Sequence, residues 1–244
     1  MRKRGFTLTE LAVVLAIVGL LLTSTLYTFS AQIDGRSRAE TQRRLEEARE
    51  LLLGFALVNG RLPCPGTASG DESGGGAAPC ASYYGGFLPA RTIGFQPTDA
   101  AGFGLDAWGN RIRYAVSAAQ WGASPFARFT RQHVANNPAA AWSMTQSPPD
   151  LVVCSASPAA AGGAACDAGA SVTNQNTVVA IVFSTGKNSS AAGPNEARNL
   201  DGDALFVSRA PDPPSAAGGE FDDLLAWIPV GLLYGRLISA GVLP

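Results

Sequence analysis

The sequence predicts an α+β fold in which a long N-terminal α-helix packs on a small antiparallel β-sheet, with long loops and a short C-terminal helix. Three observations lead to this fold class. The first 58 residues contain no proline and no cluster of turn-forming residues. Beyond Gly60, short segments of strand-forming residues alternate with loops rich in glycine and proline. The last 24 residues are strongly apolar around Pro229. The simplest arrangement that buries the apolar residues of these three parts of the chain is a helix packed on one sheet.

Length and charge restrict the function classes. The chain has 244 residues, 46% of them hydrophobic, which is enough for one sizeable core. The chain from Asn59 onward contains ten cationic side chains and thirteen carboxylates, so this part of the chain is mildly acidic. A nucleic-acid binder normally shows a basic patch or stripe. The composition therefore counts against nucleic acid as a partner.

The first half of the long helix has the length and polarity of a membrane span. Leu11–Ile33 comprises 23 residues without a charge, about 34 Å of helix against a hydrocarbon core of about 30 Å. Arg2, Lys3 and Arg4 precede it, which predicts a single pass through a membrane with a cytoplasmic N-terminus. Glu10 lies just before this segment, where a carboxylate needs a partner.

Residues 34–60 continue the helix as an amphipathic segment. Ten charges of mixed sign lie between Asp34 and Glu50, and the i,i+4 spacing predicts ion pairs of Asp34 with Arg38 and of Arg36 with Glu40. The same spacing predicts ion pairs of Glu40 with Arg44 and of Arg43 with Glu47. An apolar stripe at spacings of 3, 4 and 3 accompanies these charges: Leu45, Ala48, Leu52 and Phe55. This stripe predicts burial under a globular head.

The head, residues 61–244, begins where Asn59-Gly60 and then Pro63 end the helix. Four segments have strand composition: Ile112–Ser117, Leu151–Cys154, Val178–Ser184 and Ala204–Ser208. A helix starting at Pro229 closes the head. Its predicted buried face comprises Val230, Leu233, Tyr234, Leu237 and Ile238.

The four cysteines form two pairs that are close in the sequence, without CxxC or Cys/His spacing. Sequence proximity favours disulfides Cys64–Cys80 and Cys154–Cys166. Four cysteines allow three connectivities, and free buried thiols or metal ligation are the alternatives.

The N-terminus carries the most specific pattern in the chain. A basic leader ends in Gly5, Phe6 follows, and Glu10 opens the apolar segment. This arrangement resembles the class III leader of type IV pilins and type II secretion pseudopilins. The resemblance implies cleavage after Gly5 by a prepilin peptidase, which would release a leader of residues 1–5, and N-methylation of Phe6. It also implies that residues 6–33 form a transmembrane and filament-core helix in which Glu10 pairs with the N-terminal amine of a neighbouring subunit.

A shorter resemblance lies in the head. Asp106-Ala107-Trp108-Gly109-Asn110 is similar to the D-x-W-G-N segment of major pseudopilins. It is typical of a turn that leads into a strand, with Trp108 anchoring the loop on the core. Many pilins carry a proline in the second half of the apolar segment, and this chain has none there.

Together these features predict a structural subunit, a minor pilin or pseudopilin of a type IV pilus or type II secretion filament. Its expected partners are other pilins or pseudopilins, the prepilin peptidase and an inner-membrane assembly platform. The resemblance implies that the chain crosses the bacterial inner membrane once before assembly, with its N-terminus in the cytoplasm. Its expected location after assembly is a periplasmic pseudopilus or a cell-surface pilus. The alternative is an adhesin anchored by a pilin-type helix, whose loops at 66–80 and 155–176 meet a ligand.

No cofactor is predicted with the exception of calcium. Oxygen ligands on a glycine-containing loop suit this ion, and some pseudopilins bind it near the C-terminus. The candidate ligands are Asn199, Asp201, Asp203, Asp222 and Asp223, with Glu196 and Asn188 nearby. The stretch lacks EF-hand spacing, and the alternative is a polar turn whose acids cap backbone amides.

An enzyme is not predicted. His133 is the single histidine, and no GxSxG or catalytic-cysteine context accompanies it. Ser184-Thr185-Gly186-Lys187 lacks the spacing of a phosphate-binding loop, and a turn at a strand end accounts for it.

Overall fold

The computed structural model describes residues 7–74, 76, 78–120, 127–131, 147–159, 165–191 and 193–243, with backbone alone at 22–31. Gly5, Phe6 and His133, which the sequence analysis singled out, lie outside the described residues. The chain divides into two compact units, Met1–Glu40 and Thr41–Pro244.

The first unit consists of the beginning of helix α1, which runs over Leu8–Asn59. Its large apolar side chains are exposed wherever they are described: Leu8, Leu11, Val13, Val14, Leu15, Ile17, Val18, Leu20, Leu21 and Ile33. In the part of the chain whose side chains are described, no helix is both long enough and apolar enough to cross a membrane.

The remainder of α1 supplies one wall of the core of the second unit. The predicted stripe is buried at Leu45, Ala48 and Leu52, whereas Phe55 is half-buried and Ala56 takes the buried position. The helix ends at Asn59 as predicted, and Gly60 follows with a left-handed φ of 64°. Glycine adopts this conformation without the steric cost that a side chain brings.

The other described elements follow in chain order. They are β1 (Gly86–Phe87), α2 (Ala90–Ile93), β2 (Arg113–Val116), β3 (Val152–Cys154), β4 (Val178–Ser184), α3 (Pro194–Leu200), β5 (Leu205–Val207), β6 (Leu224–Pro229) and α4 (Val230–Ser239). Strands β1, β2, β4 and β6 form an antiparallel sheet in that order. The α+β class with an antiparallel sheet is therefore confirmed.

The predicted sheet composition was wrong in two respects. Strands β3 and β5 pair with each other in parallel, with Val152 opposite Leu205, and form a separate two-stranded sheet. All their residues are buried, so their apolar runs carry no alternation that would indicate a sheet or a direction. Conversely, β1 and β6 belong to the main sheet and were not predicted. Strand β1 has only two residues, and Pro229 ends β6 and precedes α4.

The main sheet separates two cores of the second unit. One face packs against α1 and α4 through residues that include Leu52, Tyr114, Val182, Ile228 and Leu237. The opposite face packs against the two-stranded sheet through residues that include Ala115, Val153, Ile181, Phe183 and Phe206. Successive residues of one strand serve opposite cores because side chains alternate across a sheet.

Helix α4 begins directly after Pro229, as predicted, and buries Leu233, Tyr234 and Leu237. The predicted buried face was wrong at Ile238, which is 54% exposed. The buried positions centre on the stripe at spacing 3 and 4 through Leu233, Tyr234 and Leu237, and Ile238 lies on its outer flank.

Disulfides join Cys64 to Cys80 and Cys154 to Cys166, with Cα atoms 5.4 and 5.5 Å apart. Each closes a short loop of 16 or 12 residues. A bridge of this span contributes roughly 3 kcal/mol by restricting the unfolded chain.

Candidate functional site

Glu10 makes its described contacts at the start of its own helix. The backbone N–H of Thr7 donates to Glu10 Oε2 at 3.0 Å, and the Thr7 hydroxyl donates to the same oxygen at 2.8 Å. In return, the Glu10 N–H donates to Thr7 Oγ1 at 3.3 Å. This reciprocal pair is a capping box, which satisfies N–H groups at a helix start.

Thr7 is a residue that the sequence analysis missed. Its signal was present as the spacing Thr7-x-x-Glu10 before an apolar run, the usual sequence pattern of a capping box. Glu10 is exposed, and among the described residues its Oε1 accepts no hydrogen bond. One carboxylate oxygen therefore caps the helix, and the other is open to a donor from outside the chain.

The D-x-W-G-N segment is organised by the buried carboxylate of Asp106. Its Oδ1 accepts the N–H groups of Trp108 at 2.9 Å and Asn110 at 2.8 Å, and its Oδ2 accepts the hydroxyl of Ser184 at 2.5 Å. Burial raises the pKa of Asp106, and these hydrogen bonds act against that rise. The segment forms the turn that the sequence predicted.

The same turn is attached to α1 and to the turn after β4. The Arg44 guanidinium donates to the carbonyl of Asp106 at 2.8 Å, and the N–H of Ala107 donates to Thr41 Oγ1 at 3.1 Å. The Asn110 side-chain amide donates to the carbonyl of Gly186 at 2.7 Å. Trp108 is half-buried, and these polar contacts attach the loop to the rest of the head.

Three buried carboxylates lie together beside the turn after β4. This acidic cluster consists of Glu196, Asp222 and Asp223, which are 1%, 8% and 6% exposed. One oxygen from each lies within 4.8 Å of the others. Glu196 belongs to the first turn of α3, and the two aspartates directly precede β6.

Backbone amides hold two members of the acidic cluster in place. Asp222 Oδ2 accepts the N–H of Lys187 at 2.9 Å, and Glu196 Oε1 accepts the N–H of Asp222 at 2.8 Å. Gly186 has a left-handed φ of 63°, and a Cβ at this position would overlap the Asp222 carboxylate. Glycine at 186 therefore makes room for this carboxylate.

One oxygen of the cluster lacks a partner. Asp222 Oδ1 is buried and accepts no hydrogen bond within the described part of the chain. A buried acceptor left without a donor is destabilising, so this atom would gain from a bound cation.

The cluster is electrostatically strained at neutral pH. Burial raises the pKa of Asp223 to about 7; the Asn199 hydrogen bond lowers it, and the charges of Glu196 and Asp222 raise it further. Burial also raises the pKa of Asp222. Three close carboxylates with little solvent favour either a bound proton or a bound cation.

The structure brings together only part of the predicted calcium set. Asn199 contacts Asp223, but through its amide nitrogen at 2.7 Å, while its oxygen accepts the N–H of Val207. Asp201 and Asp203 form ion pairs with Arg198 at 3.0 and 2.7 Å. The three-carboxylate cluster thus combines Asp222 and Asp223 with Glu196, which the sequence analysis named only as a neighbour in sequence.

Comparison with known proteins identifies the N-terminal segment. Residues 1–26 match the family model described as the prokaryotic N-terminal methylation motif. No curated protein and no solved structure gives a significant match to the chain. The matched segment includes Gly5, Phe6 and the capping box of Thr7 and Glu10. The chain therefore carries the N-terminal methylation signature of type IV pilin and pseudopilin precursors, a class of structural rather than enzymatic proteins.

Proposed function

We propose that this protein is a filament subunit, a minor pilin or pseudopilin that is cleaved after Gly5, methylated on Phe6 and assembled through α1. The observation that carries the proposal is the methylation motif over residues 1–26. Residues 61–244 would form the head on the filament exterior. Assembly would join it to other pilins or pseudopilins at an inner-membrane platform.

Before assembly, Leu11–Ile33 would hold the precursor in the inner membrane. The support is the uncharged 23-residue sequence, which includes residues 22–31, together with the exposure of every large apolar side chain described between Leu8 and Ile33. In the first unit these side chains are not packed into a hydrophobic core. Lipid before assembly and neighbouring helices afterwards would both cover them.

Peptide mass spectrometry tests the central proposal. Sheared surface filaments and the cell envelope would be digested separately and searched for the peptide that begins at Phe6. N-methyl-Phe6 in the sheared fraction is the expected result for a surface pilus, and the same peptide confined to the envelope is expected for a pseudopilus. An intact Met1 leader in both fractions would contradict the proposal.

We also propose that the acidic cluster binds calcium. Carboxylates are oxygen ligands that suit calcium, and Asp222 Oδ1 is a buried acceptor that has no hydrogen-bond donor among the described residues. Glu196, Asp222 and Asp223 would hold the ion. Backbone carbonyls or water would complete its coordination.

Calcium is expected to raise the melting temperature of the head. At a hundredfold excess over Kd the gain is about 2.7 kcal/mol, which corresponds to roughly 5–10 °C for a domain of this size. Differential scanning calorimetry of a fragment starting at Arg36, with calcium or with a chelator, measures it. Asp222→Asn should remove the shift, and the matched control Asp201→Asn should keep it. Equal melting temperatures with calcium and chelator would contradict the site.

A further inference from the structure

Two arginines follow the apolar segment of α1. Arg36 and Arg38 lie three and five residues beyond Ile33, in the first unit. We propose that they form a collar that binds the phosphates of phospholipid head groups on the outer side of the membrane. This inference rests on the proposed membrane insertion of Leu11–Ile33.

The two guanidinium groups have no partner in the part of the chain that the structure describes. The predicted pair of Arg43 with Glu47 forms at 3.9 Å. Within the described residues, the side chains of Arg36 and Arg38 make no ion pair and no hydrogen bond, so their predicted pairs with Glu40 and Asp34 do not form. Arg36 is exposed and Arg38 is half-buried. Two cationic groups therefore remain to meet an external anion.

Their depth matches the head-group layer. At 1.5 Å per residue, the Cα atoms of Arg36 and Arg38 lie about 4.5 and 7.5 Å beyond that of Ile33 along the helix. The polar layer on each side of the hydrocarbon core is about 5–8 Å thick. If Ile33 marks the end of the apolar span, both arginines fall within this layer.

Their direction distinguishes a membrane from a protein surface. A separation of two residues along an α-helix corresponds to a rotation of about 200° about the helix axis. Arg36 and Arg38 therefore point to nearly opposite sides of α1. One flat acidic surface of a partner protein could contact only one of them. Head groups surround a membrane-spanning helix, and both arginines then meet phosphate.

The chemistry of arginine suits this ligand. Its planar guanidinium donates two parallel hydrogen bonds to phosphate oxygens and is less strongly hydrated than an ammonium group. Each basic residue near an anionic bilayer surface favours binding by about fivefold. If the leader is removed, Arg2, Lys3 and Arg4 are lost. The collar would then supply the basic side chains that lie nearest to the span.

The test measures lipid preference for the full chain reconstituted in bilayers that contain spin-labelled phosphatidylglycerol or phosphatidylcholine. Electron spin resonance gives the relative association of the two lipids with the protein. We expect the wild-type chain to prefer phosphatidylglycerol several-fold, R36Q/R38Q to lose that preference, and R36K/R38K to retain most of it. The control R91Q, which removes an exposed arginine of the head, should behave as wild type.

Extraction with alkaline carbonate separates failure of the collar from failure of the proposed function. If the chain resists extraction and R36Q/R38Q keeps the wild-type preference, the collar is overturned and membrane insertion stands. If carbonate releases the wild-type chain, membrane insertion and the collar both fail. If R36Q/R38Q keeps its lipid preference but no longer enters filaments, the arginines bind an acidic protein surface and the lipid assignment is overturned.

Discussion

Glu10→Gln is expected to abolish incorporation of the protein into filaments while leaving the start of α1 intact. Glutamine serves as well as glutamate in a capping box, so the contacts with Thr7 remain. The negative charge is lost, and with it the proposed attraction to the N-terminal amine of a neighbouring subunit. The measurement is the amount of the protein in sheared or crosslinked filaments relative to the membrane fraction.

The matched control for this variant is Thr7→Val. It removes the hydroxyl that contacts Glu10 and keeps the carboxylate. We expect it to assemble, with at most some fraying of the first turn of α1. The opposite result, assembly of Glu10→Gln and failure of Thr7→Val, would show that Glu10 acts only as a helix cap. Glu10→Val removes both functions and gives the lower limit of assembly.

The metal-free head is expected to lose stability as pH rises from about 4 to about 8. Above pH 4 an aspartate of the unfolded chain is ionised, whereas folded Asp223 keeps its proton until its pKa of about 7. Folding in this window therefore takes up a proton, and the free energy of unfolding falls with increasing pH. The difference in pKa corresponds to a loss of up to ~4 kcal/mol. The stabilisation that protonated Asp223 contributes is fully present below the pKa of the unfolded aspartate. It is lost as pH rises through the pKa of folded Asp223.

Urea unfolding at pH 5 and pH 8 in a chelator measures this loss. Asp223→Asn should flatten the profile because it carries no ionisable group at this position. Asp71→Asn, which removes an exposed carboxylate beside Arg91, should leave the profile unchanged. Saturating calcium should also reduce the slope, since it favours the ionised cluster. A wild-type profile with the same slope as that of Asp223→Asn would contradict the assignment to Asp223.

Features with a local cause could be predicted from the sequence. The end of α1 depends on Gly60, whose left-handed backbone needs no tertiary contact. The start of α1 depends on Thr7 and Glu10, three residues apart. The four predicted strand segments exist because β-branched and aromatic residues favour an extended backbone. The methylation motif is likewise a continuous stretch of 26 residues.

Features that depend on contacts between residues far apart in the sequence could not be predicted in this way. Strands β3 and β5 are apolar on both sides, so nothing in them indicated that Val152 would lie beside Leu205 in parallel. The acidic cluster joins Glu196 to an aspartate 26 residues later, and only the return of the chain into β6 brings them together. Proximity in sequence selected Asp201 and Asp203, but Arg198 lies one turn away and engages both.

By itself, therefore, the sequence determined the N-terminal helix, its signature and the α+β class, because each can be recognised from the local pattern of residues. The tertiary structure alone decided how the strands are partitioned between two sheets and which carboxylates share a buried site. Those outcomes depend on which of many equally apolar or equally charged segments meet, and that choice is made by packing of the whole head.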